Sequence, residues 1–421
     1  MTRARSLVSD GVWLAALQGF ASLGQLAGVR LLTEILPPTV FGEFSLLLGI
    51  VLLAATGLVN PTMQAVLRYY PEYVARGDGG IVLSVARQQL TKLVVWTIPA
   101  FSMAAVAAIV SGWIDWTILV LLVALVALEI VRTQYTTILN ATRSHRLSGW
   151  WLVVETWGRP MLAWLVITFL GVSISSVLTG FVLASLVVWA VMRKFVRSEK
   201  TIISDPSERT ALASRFWKYT LPLLPLGLIG WVSGMADRYM IGMLLTPADV
   251  GLYVAIYGLA SRPMLIFGYI VESTIRPVYL SAVAEGANQR AHHYLRVWML
   301  IVVFGSLLAI VLAGIIHPWL ARILLGAQYR SVSYLLPWIV GGYALLILSY
   351  VANRICYAHE ATRSIFIVES VGAAVAIVAG FFLIYWMGLQ GAAIAIPFYY
   401  GVQAILAFLF AKQWIVAGKG S

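Results

Sequence analysis

Apolar residues run through this chain in blocks too long for the short alternations of a soluble fold. Twelve blocks reach the roughly 20 residues that a helix needs to cross about 30 Å of hydrocarbon. They lie at 10–30, 41–63, 90–111, 114–134, 149–170, 174–194, 217–237, 249–272, 294–316, 332–353, 364–386 and 389–411. The second is the least regular, because it runs into the polar stretch Asn60-Pro61-Thr62-Met63-Gln64. The longest hydrophilic piece, 195–216, with EKTIISDPSER at its centre, falls at the midpoint of the chain. The pattern predicts an all-α integral membrane protein of about 12 transmembrane helices. It divides into a six-helix half over 1–194, a cytoplasmic linker over 195–216 and a second six-helix half over 217–421.

Composition supports this reading. Hydrophobic residues make up 61% and charged residues 11%, with mean hydropathy +0.89, against about 25% charged in a soluble domain. The net charge of +12 raises nucleic acid as a partner, and the distribution of basic residues argues against it. With the N-terminus inside, the inner ends and loops hold 23 of the 29 Lys and Arg, and the outer side holds four: Arg30, Arg238, Arg322 and Arg330. Two, Arg159 and Arg262, lie within spans. An excess of Lys and Arg on cytoplasmic loops sets orientation, so both termini are expected to be cytoplasmic in a cell inner membrane. Arg3 and Arg5 precede a run, Gly11 to Val29, long enough to span; it reads as a retained helix rather than a cleaved signal. Cys356 is the only cysteine, which rules out an intramolecular disulfide.

Three short patterns recur in the same order. P-x-x-[FV]-G-x-[FY] stands at Pro38–Phe44 and Pro247–Tyr253, A-T-R-S at Ala141–Ser144 and Ala361–Ser364, and V-E-[ST]-x-G at Val154–Gly158 and Val368–Gly372. Their collinearity marks the chain as two copies of a six-helix unit. Six is even, so both copies run the same way through the membrane, as parallel repeats do. Two parallel bundles imply a central cavity between them. Proline and glycine at each corner read either as a hinge or simply as good loop residues.

The stretches R-L-L-T-E-I-L-P-P-T-V-F-G-E-F from Arg30, R-Y-Y-P-E-Y from Arg68 and M-A-D-R-Y-M-I-G-M-L-L-T-P-A-D-V-G-L-Y from Met235 resemble the polysaccharide-synthesis flippases of the multidrug/oligosaccharidyl-lipid/polysaccharide exporter superfamily. The resemblance covers the whole chain as a pattern of spans, and its specific residues are confined to these corners. It implies movement of a polyprenyl-diphosphate-linked oligosaccharide across the cytoplasmic membrane by alternating access, in lipopolysaccharide or exopolysaccharide synthesis. It also implies membrane lipids as surroundings, and a polysaccharide polymerase and glycosyltransferases as partners.

Ionisable residues at bilayer depth are costly and face a partner or a cavity. Arg262, followed by Pro263 in the eighth span, is read as a cation that receives an anionic headgroup, or as half of a pair with an acid such as Glu369. Glu155 and Arg159, four apart on one helical face, form a self-neutralising pair or a working one. Glu369 holds the position that Glu155 holds in the first half, and reads as a proton site or as the partner of an arginine elsewhere. Asp237 and Arg238 are adjacent and point apart, and read as gating or packing residues near the outer surface. Gln18, Ser22 and Gln25 make a polar stripe on the first span that is either wet or closely packed. The expected substrate-binding set is therefore Arg262, Arg159, Gln18, Gln25 and Arg30. The expected coupling and gating set is Glu155, Glu369, Asp237 and Arg238.

The five histidines lack metal-ligand spacing, and no G-x-x-x-x-G-K-[ST] loop occurs, so neither a cofactor nor direct ATP hydrolysis is expected. A polymerase or glycosyltransferase would want a sizeable catalytic loop, and every loop is short. A cation-coupled multidrug exporter of the same superfamily remains the rival reading. It would want an acidic or apolar cavity, which Arg159 and Arg262 argue against.

Overall fold

The computed structural model describes residues 2–195, 206–359 and 361–417. The centre of the expected linker, 196–205, lies outside them. All regular structure among the described residues is helical. Ten helical stretches there are long and apolar enough to cross a membrane. One of them, Arg363–Lys412, contains both of the last two expected spans. The expected first span lies within helix α1 (Thr2–Ile35), which is not among the ten.

Contacts divide the chain into two units: Met1–Ile35 with Phe44–Trp231, and Leu36–Glu43 with Val232–Ser421. Besides α1, the first unit holds most of α2 (Pro38–Ala54), then α3 (Asn60–Val74), α4 (Gly79–Val110), α5 (Trp116–Ala141), α6 (His145–Leu170), α7 (Ile174–Met192) and α8 (Pro206–Thr220). The polar stretch at 60–64 does not end a helix. A π-helical turn, Ala55–Val59, joins α2 to α3. Such a turn shifts the hydrogen-bond ladder where Pro61 would otherwise clash with the preceding turn. Helix α1 packs closely on α6. A Cβ at Gly24 would stand 2.5 Å from the Trp157 ring and one at Gly28 would stand 2.8 Å from Pro160. The Trp157 indole also donates to the Phe20 carbonyl at 3.1 Å. Helix α8 lays Leu212 and Phe216, both fully buried, against Tyr69, Val82 and Val85 of α3 and α4. Gln89 donates to the Ala213 carbonyl at 2.7 Å, so the end of the mid-chain hydrophilic region is held on this unit. The boundary at Trp231 falls inside α9 (Leu223–Leu244).

The second unit continues from α9 through α10 (Pro247–Ala284), α11 (Asn288–Leu324), a 3-10 turn at Ala327–Leu335, α12 (Leu336–Ala358) and α13 (Thr362–Ala417). Helix α13 is two helices joined at Gly388, whose φ of 58° and ψ of −137° suit a residue without a side chain. The break falls where the sequence separates the last two spans.

Leu36–Glu43, the first-half corner, belongs to this second unit, and there the two repeated corners meet. Pro38 and Pro247 each open a helix, the position at which a missing N–H costs least. Thr246 caps the second, with Asp249 bonding back to it, in a capping box. A Cβ on Gly42 would stand 1.8 Å from the Pro247 carbonyl oxygen, and one on Gly251 would stand 2.0 Å from that of Pro38. The contact is reciprocal, backbone to backbone, and only glycine leaves room for it. Tyr329, fully buried, donates to the Leu36 carbonyl at 2.8 Å and packs edge-on against Phe41. Close approach, rather than loop flexibility, explains why both corners carry glycine.

Gly42→Ala and Gly251→Ala are each expected to lower stability by about 1–3 kcal/mol through overpacking. The double substitution should cost clearly less than their sum, because both break one contact. Gly230→Ala, where a Cβ meets nothing, serves as the control. Thermal unfolding of the purified protein reads all four, and additive losses would contradict a shared contact.

Candidate functional site

In the first unit, four charged side chains from α5 and α6 form one cluster. Glu129 and Glu155 are each about 3% exposed. Arg159 reaches Glu155 Oε1 at 2.6 Å and Glu129 Oε2 at 2.9 Å, and its Nε donates to the Ser185 hydroxyl of α7 at 3.1 Å. Arg132 pairs with Glu129 on its own helix and lies 3.5 Å from Glu155 Oε2. Two acids and two bases thus cancel, and Glu129 is shared by both arginines. The i,i+4 pair Glu155 and Arg159 is half of this arrangement. Glu129 and Arg132 were not singled out from the sequence, where Arg132 counts as a basic residue at the inner end of a span. Their own i,i+3 spacing was the available signal. Arg132 and Arg159 keep 28% and 19% of their side-chain surface exposed, so the bases face open space more than the acids do.

The second unit resolves its polar groups differently. Asp237 accepts a 2.6 Å hydrogen bond from Tyr253 and one at 2.8 Å from the Arg238 backbone N–H. The Arg238 guanidinium lies 5.1 Å from the centre of the Tyr257 ring, within cation–π range. Instead of reaching for the surface, both side chains turn into a group of aromatic residues. Tyr257 and Tyr343 share a hydrogen bond at 2.6 Å, and the Tyr343 ring stands 5.8 Å from that of Tyr400. Arg262 folds back on α10, where a Cβ at Gly258 would stand 3.7 Å from its Cζ. Its charge and that of Arg238 act on one another.

Glu369 is held by amides where its counterpart Glu155 is held by arginines. It takes amide hydrogens from Gln403 at 3.2 Å and Asn353 at 3.5 Å, and Gln403 packs against Gly372 of the repeated V-E-S-V-G. The carbonyl oxygens of both amides, Asn353 Oδ1 and Gln403 Oε1, are buried without a hydrogen-bond partner among the described residues. The nearby Arg354 is engaged with Glu272 at 2.7 Å. The two glutamates of one repeated motif therefore sit in opposite surroundings, one among arginines and one among neutral amides.

The remaining expected residues lie on α1. Gln18 is exposed and its carbonyl takes the Ser22 hydroxyl at 2.8 Å, while Gln25 is half-buried. Arg30 pairs with Glu34 one turn on. The face of α1 that packs on α6 is built by Gly24 and Gly28, not by the polar stripe. Among the described residues no group of His, Cys, Asp and Glu could hold a metal ion.

Removing one partner from a buried ionic cluster costs about 3–5 kcal/mol. Glu129→Gln, which strips the carboxylate both arginines share, is thus expected to lower the melting temperature and the membrane abundance sharply. Glu369→Gln keeps the shape, and its new N–H groups can use the free amide oxygens. It should change stability by no more than about 1 kcal/mol. Equal losses for the two variants would contradict the difference between these acids.

Comparison with known proteins places this geometry. The structure resembles a lipid II flippase, MurJ, in an inward closed conformation, with TM-score 0.73 and 13% identity over 95% of this chain and 87% of that one. It also resembles a multidrug resistance MATE family transporter of the MOP superfamily in an inward-facing conformation, with TM-score 0.69 and 16% identity over 97% and 96%. A third likeness is a mutant of the Vibrio cholerae MATE transporter VcmN, with TM-score 0.64 and 14% identity over 99% of both chains. At these identities the likeness is one of fold. A search of curated proteins finds no match. The family model "Polysaccharide biosynthesis protein" matches residues 7–283. The chain, a multi-pass helical membrane protein with the flippase and exporter fold, belongs to the polysaccharide biosynthesis protein family.

Proposed function

We propose that the chain moves a polyprenyl-diphosphate-linked oligosaccharide across the cytoplasmic membrane by alternating access between two six-helix halves. The observation that carries this reading is an arginine within an expected span in each unit, Arg159 in the first and Arg262 in the second, with Arg132 and Arg238 nearer the span ends. A diphosphate needs cationic partners, and guanidinium forks suit phosphate oxygens. In the first unit Arg159 is the headgroup ligand and Gln18, Gln25 and Arg30 meet the sugar; in the second unit the headgroup ligand is Arg262. In this scheme the substrate phosphate competes with Glu129 and Glu155 for the exposed sides of Arg132 and Arg159.

The membrane potential supplies part of the drive. Moving one charge across 100 mV is worth about 2.3 kcal/mol, and a doubly charged diphosphate gains roughly twice that on leaving an inside-negative cell. Glu369 can add ion coupling, because a protonated carboxyl there finds acceptors in the free oxygens of Asn353 and Gln403. Asp237 and Arg238 gate the same unit through Tyr253 and Tyr257. Glu155, paired with two arginines, contributes to coupling only when substrate displaces it. The rival, cation-coupled drug export, would leave these arginines facing a cargo of their own sign.

The same proposal has both termini in the cytoplasm, supported by the 23 of 29 Lys and Arg that fall on the inner ends and loops. On a Cys356→Ala background, cysteines at Trp113 and Val172 should react with an impermeant reagent from outside, and ones at Arg76 and Glu285 only after permeabilisation. Reaction at Glu285 in intact cells would overturn this orientation.

The substrate assignment is tested at Arg262. Arg262→Ala should abolish polysaccharide export at near-normal membrane abundance, while Arg262→Lys keeps part of it, since charge survives and the fork of donors is lost. Normal export from Arg262→Ala at normal abundance would remove this residue from the substrate site.

A further inference from the structure

The first unit carries a second group of arginines, near the end of α3 and on α8, that plays no part in the buried cluster. The stretch R-Y-Y-P-E-Y from Arg68 supplies half of it. Tyr69 and Tyr73 go inward and are buried with Leu212 and Phe216 of α8, while Arg68 and Arg76 stay exposed. The Tyr69 ring lies 5.5 Å from that of Phe216 and 6.0 Å from that of Tyr219, so packing against α8 fixes its place. Two guanidiniums stand over it. Arg215 of α8 is 4.9 Å from the ring centre and Arg68 of α3 is 5.9 Å from it. Arg68 also lies 5.4 Å from the centre of the Tyr219 ring. These are cation–π distances, and they bring one arginine from each helix to the same ring.

The charges here do not cancel, as those of Glu129, Arg132, Glu155 and Arg159 do. Glu72 accepts from Arg76 at 3.0 Å and from Arg215 at 3.4 Å. Arg68, one turn before Glu72 on α3, makes no ion pair among the described residues. Glu208 stands in the first turn of α8, two turns from Arg215. Three arginines therefore surround one acid, and the like charges of Arg68 and Arg215 are held at one ring. An anion between them relieves that repulsion. Apolar surface adjoins the charge: Leu67 and Val74 on α3, and Leu221 just beyond α8, are all exposed. A soluble anion gains nothing from such neighbours, whereas a lipid sets its phosphate on the arginines and the roots of its chains on the leucines. In the orientation proposed above this group stands on the inner side, where anionic headgroups attract basic residues.

We propose that Arg68 and Arg215 form a docking site for an anionic phospholipid of the inner leaflet, whose phosphate bridges α3 to α8. Two guanidinium forks suit phosphate oxygens, and the buried Tyr69 ring holds both forks in place before the lipid arrives. A seated phosphate takes up the charge that Glu72 leaves over and fastens α8 to α3. The site is independent of the cargo.

The test uses the whole protein in detergent, with native mass spectrometry reading the binding of dioleoyl phosphatidylglycerol and, for comparison, of zwitterionic dioleoyl phosphatidylcholine. The wild type is expected to bind phosphatidylglycerol at least about tenfold more tightly. Arg68→Gln combined with Arg215→Gln should weaken that binding about tenfold. Arg87→Gln combined with Lys92→Gln removes the same charge from exposed residues of α4 that make no ion pair or ring contact among the described residues, and should leave binding within about twofold. A phosphatidylglycerol analogue with a photoreactive group beside its phosphate should cross-link to peptides from α3 and α8 in the unmutated protein, which reads the site without any substitution. Equal losses in the two double variants would replace the site by diffuse attraction to a basic surface. Equal binding of the two lipids, or binding that survives Arg68→Gln with Arg215→Gln while cross-links fall on other helices, would overturn it. Displacement of the lipid by inorganic phosphate would assign the two arginines to a free anion instead.

Discussion

A charge inside a bilayer must be matched where it stands, because no water is present to do it. That constraint organises this protein. In the first unit it is met by a closed set of Glu129, Arg132, Glu155 and Arg159, supplied by two neighbouring helices and steadied by Ser185 of a third. The packing of α1 on α6 through Gly24 and Gly28 holds the helix that carries half of that set. In the second unit the same constraint is met by hydroxyls, rings and amides: Tyr253 on Asp237, Tyr257 beneath Arg238, and Gln403 with Asn353 on Glu369. Each solution leaves one kind of group with spare capacity. In the first unit it is the outward sides of the arginines, and in the second it is the amide oxygens around one acid.

The duplication makes this divergence visible. Glu155 and Glu369 stand in the same short motif, yet their surroundings differ. One copy became a closed set of balanced charges, the other an acid among neutral amides. At the corners the copies stayed alike, because a backbone-to-backbone contact between Gly42 and Gly251 tolerates no side chain on either partner. Likeness survives where geometry forbids change, and difference appears where chemistry is free to specialise.

The same distinction explains what could be read from the residues alone. Span lengths were legible because hydrocarbon thickness imposes them, and the break at Gly388 was legible because two spans cannot share one straight helix. The continuous passage from α2 into α3 was harder to see. Pro61 and its polar neighbours look like an end, and only the π-helical turn at 55–59 lets the helix continue. At the site, Arg159 and Glu155 were recognisable by their four-residue spacing. Glu129 was missed although Arg132 stands three residues on, and nothing in its own helix tells that it will also face Arg159 of α6. Nor does the sequence show that Asp237 and Arg238 turn into an aromatic group, because the tyrosines that receive them are distributed over later helices.

The account stands on the claim that an anionic, lipid-linked sugar is the cargo. The most direct measurement reconstitutes the purified protein in liposomes that carry a polyprenyl-diphosphate oligosaccharide, sets a membrane potential, and follows the glycan's appearance on the far side with an impermeant lectin. The account predicts protein-dependent movement that quickens when the potential draws negative charge towards the lectin and slows when the potential is reversed. Protein-dependent transport of a cationic dye, with the lipid-linked sugar left where it started at either polarity, would contradict it.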